Sequence, residues 1–502
     1  MWQRVKEGRA VAGEVVWHTA VARHNWCRLR EVVVVVVTET VDYFIVPQIG
    51  KVVIMEALIY GSFTVLALVA LVFHVFAMKT KSQISSANNP HFKRFQHSFF
   101  LVYFMALFSD WLQGPYVYKL YQHYGYASNQ IALLYVVGFA SSVVFGTTTG
   151  PLADRFGRKK MALTFCVMYS FCCLTKLSSQ FFWLFLGRVF GGISTSMLFS
   201  TFESWYVYEH TETHDFPSEW LTVTFSKATF WNGVLAINAG VFSNIFAESL
   251  GYGPVSPFML SIPFLVMAGL IILKTWKENY GNQSLNLRRS CMDGLRSILF
   301  NETILYLGIV QSLFEANMYI FVFQWTPVLG GANPPLGMVF ASFMVCIMIG
   351  SSLYSIMLAK KFTSEQLLVF AVMLATIAMT ICIYSTGGGY LYLSFLAFLI
   401  LEVGVGMYFP AIGYLRSQVI PEELRAGIMN WFRVPTNIIT CASLLLVHNN
   451  TIISSTQAMF TVCTVMLLVA IIISLRFVRL FSSNKTPLPQ SEDQVPLTKA
   501  EL

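Results

Sequence analysis

Gly150-Pro151-Leu152-Ala153-Asp154-Arg155-Phe156-Gly157-Arg158-Lys159-Lys160 is a short polar hinge between two long apolar runs, Ile131 to Thr149 and Met161 to Leu177. Each run is apolar enough to cross a bilayer. Two such helices joined by so few residues must fold back as an antiparallel hairpin, because no chain is left to go elsewhere. Gly150 and Gly157 allow close backbone approach or positive φ. Asp154 can pair with a cation or cap the next helix. Arg155, Arg158, Lys159 and Lys160 place the loop on the cytoplasmic side.

The spacing Gly, three residues, Asp-Arg, any residue, Gly, basic residues resembles the loop signature of the major facilitator superfamily. In that family the loop joins transmembrane helices two and three and acts as a gate latch between the two halves. The resemblance implies gate roles for Gly150, Asp154, Arg155, Gly157 and Arg158.

Composition agrees with a membrane chain. Of 502 residues, 56% are hydrophobic and only 12% charged. A soluble protein could not cover its surface with so few charges. The net charge of +8 does not point to nucleic acid, since the basic residues are scattered in short loops. The nine cysteines lie mostly in apolar runs without metal spacing and read as small hydrophobes. No nucleophile–base spacing, metal cluster or Gly-rich phosphate loop stands out, so neither an enzyme nor a cofactor is expected.

Thirteen stretches meet the spanning rule, near 54–78, 97–119, 131–149, 161–178, 181–205, 223–247, 256–275, 302–327, 336–358, 366–385, 390–413, 428–448 and 457–480. The hinge must fall between core helices two and three, so 55–78 is an extra N-terminal helix. The expected architecture is an all-α polytopic membrane protein of the major facilitator fold. Its parts are a six-helix bundle over 97–275, a cytoplasmic central loop over 276–301, a second bundle over 302–480 and a disordered cytoplasmic tail over 481–502. The loops and tail assigned to the cytoplasm hold 21 Lys or Arg and the outer loops two, Lys119 and Lys176. This asymmetry sets the orientation. Residues 1–54, with their Val32–Val37 run, resemble nothing else in the chain and read as an upstream extension or a disordered arm. Gly350 followed by Lys360-Lys361 reads as a worn second copy of the hinge. Asn449-Asn450-Thr451 is a glycosylation sequon on a short outer loop, and Asn301-Glu302-Thr303 is one on the cytoplasmic side.

Ionisable groups inside spans are costly and mark function by default. Asp110 and Glu315 each lie about 20 Å into core helices one and seven, near the midplane. Arg188 in helix four and Glu402 in helix ten form a second equivalent pair, each followed four residues later by glycine, Gly192 or Gly406, for close helix contact. Two accounts stand open for Arg188: it holds an anion, or it neutralises a carboxylate across the bundle. In the first account Asp110, Glu315 or Glu402 carries the driving proton. Glu203, Lys227 and Arg433 lie near the cytoplasmic face and read as gate residues. Lys119 and Lys176 read as snorkelling cations. Gly114-Pro115, Pro327, Pro410 and Pro435 can bend their helices, with Pro327 ending helix seven.

Longer stretches resemble the eukaryotic molybdate-anion transporter family of the same superfamily. They are Ser109-Asp110-Trp111-Leu112-Gln113, Tyr118-Lys119-Leu120-Tyr121-Gln122-His123-Tyr124, Phe202-Glu203-Ser204-Trp205-Tyr206, and His214-Asp215-Phe216-Pro217 with Glu219-Trp220. Phe230-Trp231-Asn232, Trp325-Thr326-Pro327-Val328-Leu329 and Asn430-Trp431-Phe432-Arg433-Val434-Pro435 complete the set. The resemblance implies secondary active uptake of molybdate across the cell membrane. Its substrate would be a tetrahedral dianion, and its transport could couple to protons. Such an anion needs cationic or N–H donors. Arg188, helped by Asn232, Gln311 and Asn317 with Ser194 and Thr195, is the donor set that the residues offer. A carrier of another small solute, with Asp110 and Glu315 binding an amine, remains open. So does a transporter-like receptor or scaffold that uses the acidic loop 206–222.

Overall fold

The hinge turns on a single residue. In the computed structural model, which describes residues 46–80, 89–281, 287–421, 424–449 and 456–484, the helices in chain order are α1 (Val46–Thr80), α2 (Pro90–Gln113), α3 (Val117–His123), α4 (Ser128–Phe156), α5 (Arg158–Thr175), α6 (Phe181–Leu198), α7 (Thr201–Tyr208), α8 (Glu219–Asn244) and α9 (Ser256–Thr275). There follow α10 (Leu287–Phe300), α11 (Glu302–Leu329), α12 (Leu336–Ala359), α13 (Ser364–Gly388), α14 (Leu391–Val419), α15 (Arg425–Asn449) and α16 (Thr456–Asn484). Between α4 and α5 stands only Gly157, at φ +106°, a conformation that L side chains rarely adopt. Gly150 lies inside α4 with open space where a side chain would go, so it makes no close approach there.

All thirteen expected spans are helical. Ten helices among the described residues are long and apolar enough to cross a membrane by length and composition. The other three expected spans lie in α2 with α3, in α5 and in α15. The first is interrupted by a 3-10 turn at Gly114–Tyr116, and the other two open on or enclose basic residues.

Two asparagines start equivalent helices. Asn89 Oδ1 accepts from His91 N and Phe92 N at 2.9 and 3.1 Å before core helix one. Asn301 Oδ1 accepts from Thr303 N and Ile304 N at 3.0 and 3.3 Å before core helix seven. Each satisfies otherwise orphaned amides. The sequon-like Asn301 is thus a helix cap.

The two sets of six helices repeat one packing scheme. In the first, α2 packs on α8 and α9, α4 on α6, and α5 on α6 and α9. In the second, α11 packs on α15 and α16, α12 on α14, and α13 on α14 and α16. These are the same five pairings, six core helices apart. Two seams join the halves, α8 with α12 and α4 with α15, and they too exchange under the repeat. Glycines set the close approaches. A Cβ on Gly192 would strike Gly138 O and Ser141 Oγ of α4, and one on Gly406 would strike the Ile347 backbone of α12.

Several expectations change. Gly350, like Gly150, lies inside its helix, here against the backbone of Val403 and Gly406, and the turn that follows α12 has Lys361 at φ +69°. Pro327 does not end core helix seven, since α11 continues to Leu329. The central loop contains the amphipathic helix α10, whose Ile298 packs with Ile304, Ile420, Ile428 and Phe432. The first helix starts at Val46 and runs through Met55. Residues 1–45, most of the expected extension, lie outside the described residues. So do 485–502, most of the expected tail, and Asn450-Thr451 of the outer sequon.

The compact body that carries the site is Leu58–Leu502. Within it Phe63, Leu66, Val69, Ala70 and Phe73 of α1 pack on Ile237 of α8 and on Val345 and Ile349 of α12. Replacing Gly406 by Ala should separate α12 from α14 and cost about 1–3 kcal/mol, read as a lower melting temperature in detergent. Gly413→Ala, where nothing lies within 4 Å, should leave it unchanged.

Candidate functional site

Arg188 projects from α6 toward α4. Room for it comes from Gly138, where a Cβ would fall 2.6 Å from Nη2 and 2.8 Å from Cζ. Its Nε donates to Leu134 O at 3.0 Å, and its Cζ lies 4.9 Å from the centroid of the Tyr135 ring. Among the described residues no carboxylate lies within ion-pair distance of Arg188. The partner that the bundle-neutralising account requires is therefore not seen at Arg188 among the described residues.

Tyr135 belongs to a collar that bridges the halves on the side away from the hinge. It meets Phe323 of α11 edge-on at 5.3 Å. Tyr118 of α3 meets the same Phe323 at 5.4 Å, and Phe139 of α4 meets Tyr319 of α11 at 5.0 Å. Trp111 and Phe340 extend the contact at 5.9 Å. Aromatic contacts thus close this far side between α2, α3 and α4 and the opposing α11 and α12.

The expected carboxylates are each met by a tyrosine hydroxyl or buried. Tyr169 OH donates to Asp110. Tyr408 OH donates to Glu315 at 3.2 Å, and its ring stacks on Phe314 at 3.9 Å. Glu402 is 6% exposed. Asn232 does not stand free in a cavity, since its Oδ1 accepts from Trp111 Nε1 at 2.8 Å. Gln311 and Asn317 are buried, each with a side-chain oxygen that finds no donor. Ser194 Oγ is likewise buried without a partner, whereas Thr195 Oγ1 donates to Gly191 O at 2.9 Å. The groups thus lie on several helices around the bundle axis, and the structure joins Arg188 directly to none of the three amides.

On the hinge side, Asp154 and Arg158 form a 2.7 Å ion pair, and Arg158 Nη1 donates to Ser204 O at 3.1 Å. Lys159 N donates to Glu278 Oε1 at 2.8 Å, Arg158 N to Asn279 O and Gly281 N to Asp154 O. The latch therefore ties the hinge to α7 and to the chain following α9, all within the first half. Arg155 points outward over Phe156. Glu203 accepts from Tyr103 OH at 3.5 Å, and Lys227 donates to Gln96 Oε1 at 3.0 Å. Arg433 reaches across the α4–α15 seam to Gly146. A cleft of about 490 Å³ here is lined by Arg158, Ser200, Glu203, Tyr208 and Phe225.

One reading is corrected. Lys176 does not snorkel. It is 2% exposed, and its ammonium donates to Tyr121 OH at 3.1 Å. The available signal was direction, because helical side chains lean toward their own N-terminus, so a lysine ending α5 leans back into the span. The acidic loop 206–222 is packed at its start, with Glu209 and His210 buried, while Glu212, Asp215 and Glu219 stay exposed. Asn279 Nδ2 donates to Glu209 Oε1 at 2.9 Å, and Phe92, Phe216 and Trp220 surround His210 and one another. Tyr135, Tyr169, Tyr408 and Glu278 were not singled out; each gains its role from another helix, which periodicity within one helix cannot show.

A family described as "Sugar transporters, 12 TM" matches residues 58–390. The molybdate-anion transporter of Xenopus tropicalis is 44% identical over 447 residues, covering 87% of this chain and 98% of that protein. That of Danio rerio is 42% identical over 450 residues, covering 82% and 94%. Among solved structures, a POT family transporter in complex with 5-aminolevulinic acid aligns with TM-score 0.64 at 12% identity, covering 82% of this chain and all of that one. A bacterial homologue of the human lysosomal transporter Spinster, inward-facing and unoccupied, aligns with TM-score 0.59 at 13% identity, covering 80% and 100%. The fold is therefore that of these two-bundle transporters.

Glu278→Ala removes the acceptor of Lys159 N–H. Amide exchange at residues 157–161 should then quicken about tenfold, the worth of one hydrogen bond, while exchange in α13 stays as it was.

Proposed function

This chain belongs to the major facilitator family of the curated molybdate-anion transporters, and on that premise we propose that it carries molybdate into the cell by alternating access. The observation that carries the reading is Arg188, a guanidinium inside the bundle with no carboxylate beside it among the described residues. A cation in that setting costs several kcal/mol if left alone. A tetrahedral oxyanion supplies the missing charge and accepts two parallel N–H bonds from the fork. Gln311 and Asn317 each leave a side-chain oxygen without a donor, an acceptor for water beside the substrate rather than for the oxyanion itself, and Asn317 Nδ2 already donates to Leu313 O at 2.7 Å. Asn232 acts through Trp111, which it holds in place against Phe340.

The far-side collar is the gate that closes behind the anion. The opposite gate involves the hinge residues with Glu203, Lys227 and Arg433. By the excess of Lys and Arg in the hinge-side loops, that side faces the cytoplasm and the C-terminus lies there. The cell membrane is the site of action. Moving a dianion inward against a negative-inside potential is uphill, and co-transported protons would offset its charge. Asp110, Glu315 and Glu402 are the carboxyls placed to carry them. Asp110 and Glu315 already have tyrosine donors, which weakens an amine-binding alternative.

Cells expressing the full chain should take up labelled molybdate saturably, with uptake rising as the outside pH falls. Arg188→Ala should abolish uptake at equal surface delivery. Asp110→Asn, Glu315→Gln or Glu402→Gln should flatten the pH response. Wild-type cells that accumulate no molybdate despite correct delivery would refute the proposal.

A further inference from the structure

Arg433, like Arg188, meets no carboxylate within ion-pair distance among the described residues. It stands on α15 in the second half, and its tip crosses to α4 in the first. A Cβ on Gly146 of α4 would lie 3.6 Å from Arg433 Nη1 and 3.4 Å from Ser196 Oγ of α6. The guanidinium and the hydroxyl thus face one point from opposite halves, and the missing side chain leaves that point open. A single heavy atom fits there, and an oxygen drawn slightly inward would reach Nη1 at hydrogen-bond distance. Arg433 is exposed, while Gly146, Ser142 and Ser196 are half-buried, so the gap has an open side for the rest of a larger ligand. Ser196 Oγ gives its proton to the backbone, to Ser142 O at 2.9 Å or Gly192 O at 3.1 Å. The Ser142 hydroxyl, 3.2 Å from Ser196 Oγ, keeps a proton that can turn to an anion.

The gap also lies on a line with the Arg188 seat. Gly138, Ser142 and Gly146 follow one another at four-residue steps and so share one face of α4. Arg188 is seated at Gly138 and Arg433 at Gly146, eight residues or about 12 Å apart along the helix. Ser200, one turn beyond Ser196, lines the hinge-side cleft and has its hydroxyl 3.4 Å from that of Thr149 on α4. A cation, hydroxyls, a second cation and the cleft thus succeed one another down α4. We propose that the Gly146 gap, between Arg433 and the Ser142–Ser196 pair, is a second and inner station for the oxyanion on its way from Arg188 to the hinge-side cleft. The inference rests on the oxyanion transport proposed above. One anion oxygen occupies the gap and accepts from Arg433 and from Ser142. Because those donors belong to opposite halves, the oxygen bridges the α4–α15 seam, and parting the seam releases it. An exposed guanidinium is screened by water and holds an anion less tightly than one inside the bundle, which suits a station that must let go.

The test is transport of labelled molybdate by the purified full chain in liposomes, with molybdate supplied in turn from the far side and from the hinge side. Arg433→Gln should raise KM from the hinge side about tenfold, the worth of one charge-assisted bond, and leave KM from the far side as it was. Arg433→Lys should restore most of the loss, since it keeps the charge. Gly146→Ala should shift hinge-side KM in the same direction, because its methyl takes the place of the oxygen; at 3.4 and 3.6 Å from its neighbours that methyl fits without disturbing the fold. KM unchanged from the hinge side in both variants, beside an inactive Arg188→Ala, would overturn the inner station and leave oxyanion transport standing. A loss of maximal rate with KM unchanged on both sides would overturn it too, reducing Arg433 to a gate. An unaltered chain that moves no molybdate from either side would instead remove the reading beneath it.

Discussion

The guanidinium of Arg188 over Tyr135, seated in the space left by Gly138, is the contact on which the rest depends. A charge inside a membrane bundle needs a partner, a hydrogen-bond acceptor or an aromatic face. Arg188 has the last two and lacks the first. Its donor to Leu134 O fixes the guanidinium plane. The ring beneath it carries the contact onward, because Tyr135 touches Phe323 of the opposing half. One side chain thereby links the proposed anion to the closure of the far side. Opening that side must part Tyr135 from Phe323, and this changes the surroundings of the charge.

The remaining architecture serves this coupling. Helix pairings repeat six core helices apart, with glycine-set contacts inside each half. The seams between the halves are α8 with α12 and α4 with α15. At the first, Gly240 stands against Gly337, a close backbone contact; at the second, Arg433 reaches into the space beside Gly146. The hinge latch, by contrast, binds α4, α7 and the chain after α9 within one half. Its hydrogen bonds stay within that half among the described residues.

Much of the fold was legible because membranes impose length and polarity rules. The hinge and the helical stretches followed from counting apolar residues. Glycines four residues after Arg188 and Glu402 were readable as contact points for the same reason. The site was less legible. Which hydroxyl meets Asp110 depends on how α5 packs on α2 and α9, and no spacing within one helix carries that information. Asn232 looked like a free amide and is bound to Trp111. Lys176 looked like a surface cation because its position was read without its direction. In the loop 206–222 the buried Glu209 and His210 depend on aromatic residues from another helix, Phe92 among them, which charge counting does not show.

Tungstate matches molybdate in charge and shape and scatters strongly enough to be located directly. A structure of the full chain with tungstate should place the metal centre beside the Arg188 guanidinium, with its oxygens within hydrogen-bond distance of Nη1 or Nη2. Tungstate bound elsewhere, or Arg188 still facing only Leu134 and Tyr135 at saturating tungstate, would contradict the account.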